Sequence, residues 1–180
     1  WWTAHVAHQI RSEIGIFDPF TYLIQDYEPC FYPWGTEYAY ARASYDLPHF
    51  PVFNSTPLKN YFQSLNICTS HALSFRPAVN TTLYEPIQKA TNHKRTIAIY
   101  GRPEVARNVF PLKVSALGAW LETKQLTVLD VDILSVGQNH PDIELPGGIT
   151  LKSLGKLPWA DYPDFLRHVD VGLSLMCSPH

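Results

Sequence analysis

The feature that most constrains this chain is an alternation in its second half of short β-rich runs with stretches of helical spacing. Residues 95–100 (Arg-Thr-Ile-Ala-Ile-Tyr) read as a strand, 101–108 as a loop, and 109–124 as a helix. That helix carries apolar residues at Val109, Leu112, Leu117, Trp120 and Leu121. Residues 131–136 are the next strand and 150–154 a short one; 159–168 is a helix opened by Asp161 and Asp164; 169–175 is the last strand. Strands that alternate with helices need crossover connections, which predict a parallel sheet with helices packed on it.

The first half repeats this grammar less clearly. Residues 20–25 form a buried strand, followed by a turn at 26–29 that holds two carboxylates. Residues 36–43 are Ala-rich and open on Thr36, a capping-type residue, so a helix is expected there. Residues 50–53 are a strand, a helix starts near Pro57, and 72–75 are a third possible strand. Residues 1–14 read as a short helix or an irregular lead-in. Residues 77–94 have two prolines, several Thr and Asn, and no period, and are read as a linker. The expected domains are therefore 1–85 and 86–180.

Composition narrows the class. The chain is 46% hydrophobic, enough to bury a core, and its net charge of −2 argues against a nucleic-acid partner. Cys30, Cys68 and Cys177 match no zinc spacing and are read as reduced, partly buried thiols, as expected in the cytoplasm. No apolar run approaches the roughly 20 residues that span a membrane. A start at Trp1-Trp2-Thr3 and an end just after the apolar run 169–176 suggest an internal segment of a longer chain.

In open α/β sheets ligands bind beyond the carboxyl ends of the strands, which points to three loops. The first is Gly101-Arg102-Pro103-Glu104-Val105-Ala106-Arg107-Asn108. Gly101 permits close backbone approach. Arg102 and Arg107 supply two permanent charges of fork geometry, and the next helix points its N-terminus at the same side, a set that suits a diphosphate. The alternative is a surface loop whose arginines pair with Glu104 or with solvent. The second loop is Gln25-Asp26-Tyr27-Glu28-Pro29 with Phe31-Tyr32-Pro33-Trp34-Gly35. It offers carboxylates for sugar hydroxyls or base catalysis and aromatics for sugar rings, or else a solvated turn over an aromatic core. The third is Cys177-Ser178-Pro179-His180, where Ser and His could bond phosphate or sugar oxygens, or simply turn the chain. The histidines form no metal-site spacing, and the Walker loop, the GxSxG elbow and the GxGxxG fingerprint are all missing.

The second half resembles the donor-binding domain of glycosyltransferase family 4. The resemblance lies in a strand ending Gly101-Arg102, a basic residue at Arg107 where the family usually has Lys, Ser135-Val136-Gly137, Leu154-Gly155, and the strand Val169-Asp170-Val171-Gly172-Leu173. The family's downstream donor-binding carboxylate has no match here. In the first half, Tyr22-Leu23-Ile24-Gln25-Asp26-Tyr27-Glu28-Pro29, Phe31-Tyr32-Pro33 and Asn54-Ser55-Thr56 resemble bacterial rhamnosyltransferases that use dTDP-β-L-rhamnose.

The resemblance implies an α/β fold of the GT-B type, two Rossmann-like domains with parallel sheets facing a cleft, both incomplete. Residues 1–85 would be the end of the acceptor-side domain and 86–180 most of the donor domain. The implied enzyme is retaining, needs no metal or other cofactor, and moves a sugar from a nucleoside-diphosphate donor to a glycan acceptor. Its place is the cytoplasm or the inner face of the membrane. The implied catalytic residues are Asp26, Glu28, Arg102 and Arg107. Gly101, Arg102, Arg107, Asn108, Ser178 and His180 would bind the donor, and Tyr27, Tyr32 and Gly35 the acceptor sugar. A non-catalytic nucleotide- or glycan-binding module and a GT-B-like sugar-nucleotide epimerase or hydrolase are the rival readings.

Overall fold

The computed structural model describes residues 1–67, 70–89 and 94–178. They form two compact α/β units, one of residues 1–78 joined by Ser178, the other of residues 79–177.

In the first unit, helix α1 (Trp2–Glu13) settles the open reading of the lead-in as helix. Strands β1 (Phe20–Ile24), β2 (His49–Phe53) and β3 (Leu73–Ser74) pair in the order β1-β2-β3, all parallel. Helix α2 (Thr36–Ala43) has Gly35 at its N-cap, so Thr36 is the first helical residue and not the capping one. Helix α3 (Thr56–Ser64) starts as its residues dictate: Ser55 Oγ accepts the Leu58 N–H at 3.2 Å, and Pro57 sits where no amide is needed. The core gathers Ile24, Tyr27, Tyr45, Phe53, Leu58, Phe62 and Ile67. Among its aromatic rings Tyr45 meets Phe62 edge to face with centroids 4.8 Å apart, while Tyr27 stacks on Tyr45.

The second unit has a five-stranded sheet in the order β6-β7-β5-β4-β8. Its strands are β4 (Arg95–Gly101), β5 (Val131–Gly137), β6 (Ile143–Leu145), β7 (Ile149–Gly155) and β8 (Val171–Leu173). All pairings are parallel except β6 with β7, a short antiparallel hairpin closed by the turn Pro146–Gly148. This strand departs from the all-parallel expectation. Three residues between prolines at 141 and 146 carry too little pattern to be read as a strand, and pairing with β7 creates it.

Helix α4 (Phe110–Lys124) covers the sheet with Phe110, Lys113, Leu117 and Leu121. The apolar stripe read from the sequence was rotated: Leu112 is 62% exposed and Trp120 38%. The stripe that is buried has a lysine in it. Helix α5 (Tyr162–His168) and β8 are shorter than their sequence patterns suggest. Pro163 sits at the start of α5, a position that admits proline.

The strand order fixes where a ligand belongs. From β4 the chain goes to β5 and β7 on one side, and then to β8 on the other. The order reverses at β4, and such a switch point opens a crevice beyond the carboxyl end of that strand.

Candidate functional site

At the switch point the loop after β4 and the segment after β8 are joined. The Cys177 N–H donates to Arg107 O at 2.6 Å, and Asn108 Nδ2 donates to Met176 Sδ at 3.4 Å. Asn108 is fully buried and is the hub of the loop. Its Oδ1 accepts the Arg102 N–H and the Lys113 ammonium, each at 2.9 Å, while its Nδ2 also donates to Tyr100 O at 3.1 Å. Lys113 Nζ donates to Tyr100 O as well, at 2.5 Å.

Two features show how tightly this loop is held. Gly101 allows no side chain, since a Cβ there would overlap Ser135 Oγ and come within 2.9 Å of the Phe110 ring. Val109, the N-cap of α4, is left-handed at φ 48°. A β-branched residue there is costly, by about 1–3 kcal/mol, and persists only where its surroundings over-determine it.

Behind Gly101, His140 bonds the buried Ser135. Its Nδ1 is 2.7 Å from Pro141 O and its Nε2 2.8 Å from Ser135 Oγ. A carbonyl oxygen can only accept, so Nδ1 carries the proton and Nε2 takes the serine O–H. Ser135 is sealed from solvent, and the pair acts as packing for the loop.

The charges of this unit are sorted between its two edges. At the amino ends of the strands the carboxylates are paired: Asp132 with Lys94 at 2.6 Å, and Asp170 with Lys89 at 3.0 Å and Arg95 at 3.7 Å. A cavity of about 720 Å³ lies at that edge beside Trp120, Leu126 and Leu129, but its charges already neutralise one another. At the carboxyl ends stand Arg102, Arg107, Lys113 and, one residue beyond β7, Lys156. Among the described residues neither Arg102 nor Lys113 has a carboxylate partner, so the pairing of Arg102 with Glu104 that the alternative reading offered is not made. Burial pulls the Lys113 ammonium below its usual pKa of 10.5. The N-terminus of α4 opens on the same edge. The arrangement can hold a multiply charged anion.

In the first unit, Asp26 and Glu28 follow the carboxyl end of β1. Asp26 Oδ1 accepts the Tyr27 N–H at 2.8 Å and the Ser178 O–H at 3.4 Å, and Glu28 pairs with the amino group of Trp1. Tyr45 fastens this turn, accepting the Glu28 N–H at 3.1 Å and donating to Asp26 O at 3.3 Å. The Tyr27 ring lies in the core at 6% exposure, and burial pushes its phenol up to about 12. Tyr32 is half-buried, and its hydroxyl accepts the Trp1 indole N–H at 2.9 Å; Gly35 is exposed. Trp34 is 89% exposed and stacks on Tyr38 at 4.8 Å. At the end of β2, Asn54 Nδ2 donates to Gln25 O at 3.1 Å, while its buried Oδ1 meets no donor among the described residues.

The structure thus brings Gly101, Arg102, the Arg107 backbone and Asn108 together in one loop, and places Asp26 and Ser178 side by side in the first unit. His180 and Cys68 lie outside the described residues, and Cys30 and Cys177 are exposed rather than partly buried. Sequence reasoning gave no site role to Lys113, Ser135 or His140. Lys113 left a signal, because it stands in register with Phe110, Leu117 and Leu121 on the buried face of α4. Among the described residues no cluster of His, Cys, Asp or Glu is built to hold a metal, and no helix is long and apolar enough to cross a membrane.

Comparison with known proteins finds two family matches along the chain. Residues 95–180 match the family described as the C-terminal domain of WsaF, and residues 1–56 the family described as the N-terminal domain of WsaF. The chain is also 32% identical over 182 residues to the O-antigen biosynthesis protein RfbC of Myxococcus xanthus, an alignment that covers 99% of the chain. The chain spans only 13% of that protein's length. Its two halves thus resemble, in order, the two domains of WsaF, and a relative named for O-antigen biosynthesis aligns along nearly all of the chain.

Proposed function

We propose that this chain is part of a glycosyltransferase of the GT-B class, acting in surface polysaccharide biosynthesis. In this reading the second unit holds the diphosphate of a nucleotide-sugar donor and the first unit serves the glycan acceptor. The observation that supports it most is the edge at the switch point, where Arg102 and Lys113 stand without a carboxylate partner among the described residues beside an open helix N-terminus. Arg102 and Arg107 stabilise charge that builds on the leaving diphosphate. Ser178 and His180 help to seat the donor. Asp26, Glu28 and Tyr32 line the acceptor side, with the exposed Trp34–Tyr38 stack as the aromatic surface a sugar would meet in place of the buried Tyr27.

The donor we propose is dTDP-L-rhamnose, and the reaction retains anomeric configuration, uses no metal and takes place on the cytoplasmic side. The rhamnosyltransferase-like motifs of the first half support that choice, while the relative named for O-antigen biosynthesis supports only the place in polysaccharide biosynthesis. The test is calorimetric titration of the full-length protein with dTDP, UDP, GDP and ADP. Two charge-assisted contacts of roughly 1.5–3 kcal/mol each place binding between about tens of micromolar and several millimolar. Preference for dTDP, lost in Arg102→Ala, is the expected result. Binding of all four unchanged by Arg102→Ala refutes the site, and a preference for another base refutes the donor.

A further inference from the structure

Lys113 is the only fully buried charged side chain among the described residues. Its Nζ donates to two neutral acceptors, Tyr100 O and Asn108 Oδ1, and lies 6.0 Å from the centre of the Tyr100 ring. Burying a cation against neutral dipoles is expensive, and the lowered pKa of Lys113 records that expense. A neutral donor would hold the Tyr100 carbonyl and the Asn108 amide as well, at lower cost. The charge is therefore what needs explaining.

Its position supplies the explanation. Asn108 Oδ1 accepts both the Lys113 ammonium and the Arg102 backbone N–H, each at 2.9 Å. One oxygen atom separates the buried charge from the amide that opens the loop. The same pair of donors pins Oδ1 and thereby aims Nδ2 at Tyr100 O and Met176 Sδ. The loop from residue 101 to 109 is thus held from below by a cation whose field reaches its backbone.

We propose that Lys113 is the buried counter-charge of a diphosphate seated on this loop, a positioning residue that acts through Asn108 and the Arg102 backbone. The inference rests on the reading of the second unit as a nucleoside-diphosphate site. Because Lys113 is shielded from solvent, salt screens its contribution less than that of Arg102.

The test uses the full-length protein and its Lys113→Met, Asn108→Asp and Arg102→Ala variants. Each is titrated at two salt concentrations with the best binder among dTDP, UDP, GDP and ADP, and with the matching nucleoside, and each is followed through thermal unfolding. Lys113→Met is expected to unfold at the wild-type temperature or above, since replacing a buried charge by an apolar side chain of similar volume is often neutral or stabilising. Its affinity for the diphosphate should nevertheless fall about ten-fold, with the nucleoside unaffected. A merely structural peg would instead lose stability and leave that selectivity alone. Asn108→Asp gives Lys113 a carboxylate of nearly the same shape and should weaken the diphosphate by a similar factor. If Arg102→Ala weakens binding while both other variants stay within about two-fold of wild type, the inference is overturned and the diphosphate site stands. If wild type binds none of the four diphosphates, both fall. Should Lys113→Met fail to fold, unchanged affinity in Asn108→Asp overturns the inference on its own.

Discussion

Replacing Asn108 by alanine removes the hub of the candidate site and leaves two buried donors short of an acceptor. The Arg102 N–H loses its partner at 2.9 Å, a change worth about 1–3 kcal/mol when the group stays buried. The Lys113 ammonium loses one of its two acceptors, a charge-assisted bond of about 1.5–3 kcal/mol. Tyr100 O keeps Lys113 as a donor, so its loss is small. Part of the cost is offset: without Asn108 the left-handed Val109 can relax and release some of its roughly 1–3 kcal/mol of strain. The losses share one network and do not simply add, so the net destabilisation should be about 2–3 kcal/mol. The assay is urea unfolding of wild type and variant. With a slope of about 1–2 kcal/mol per molar, the midpoint should drop by roughly 1–3 M. Amide exchange along β4 should quicken by the same free energy, which places the loss in the second unit. A destabilisation under about 0.5 kcal/mol would show that water or a shifted Lys113 replaces the amide, and that the loop is not held as argued.

Gly101→Ala drives a Cβ into Ser135 Oγ and to 2.9 Å from Phe110, and overpacking of this kind should cost about 1–3 kcal/mol in thermal unfolding. A wild-type melting temperature would mean that Ser135 and Phe110 can yield. In the first unit, Tyr45→Phe strips the Glu28 N–H and Asp26 O of their shared hydroxyl, and denaturant titration should register a loss of about 1–3 kcal/mol. Burial raises the Tyr27 phenol from 10.0 to about 12. The folded state therefore keeps a proton that the unfolded chain releases, and the stability this contributes is complete below pH 10 and lost as pH rises through about 12. Tyr27→Phe should flatten the fall of stability across that window, and an unchanged alkaline profile would contradict the burial argument.

Much of the fold was legible because hydrophobic period is a local property. The runs at 20–25, 50–53, 95–100 and 131–136 announced β1, β2, β4 and β5, and Ser55 with Pro57 announced the start of α3. The elements that were misread depend on partners. Strand β6 exists through its pairing with β7, and the open reading of residues 1–14 became α1. The stripe of α4 was misjudged because Leu112 and Lys113 compete for one face, and a sequence rule gives that face to leucine. The structure gives it to lysine, which finds acceptors in Tyr100 O and Asn108.

The same division runs through the site. The sequence by itself determined that an arginine-bearing loop opening on glycine stands between a strand and a helix, and that its chemistry suits an anion. Strand order, which no local pattern encodes, decided that this loop lies at the switch point and meets the segment after β8 through Cys177 and Met176. Burial decided that Tyr27 is core and that Asn108, an ordinary loop residue by type, is the hub. Both follow from one cause: hydrogen bonds and desolvation depend on atoms that are distant in the chain, and only the folded backbone brings them within reach.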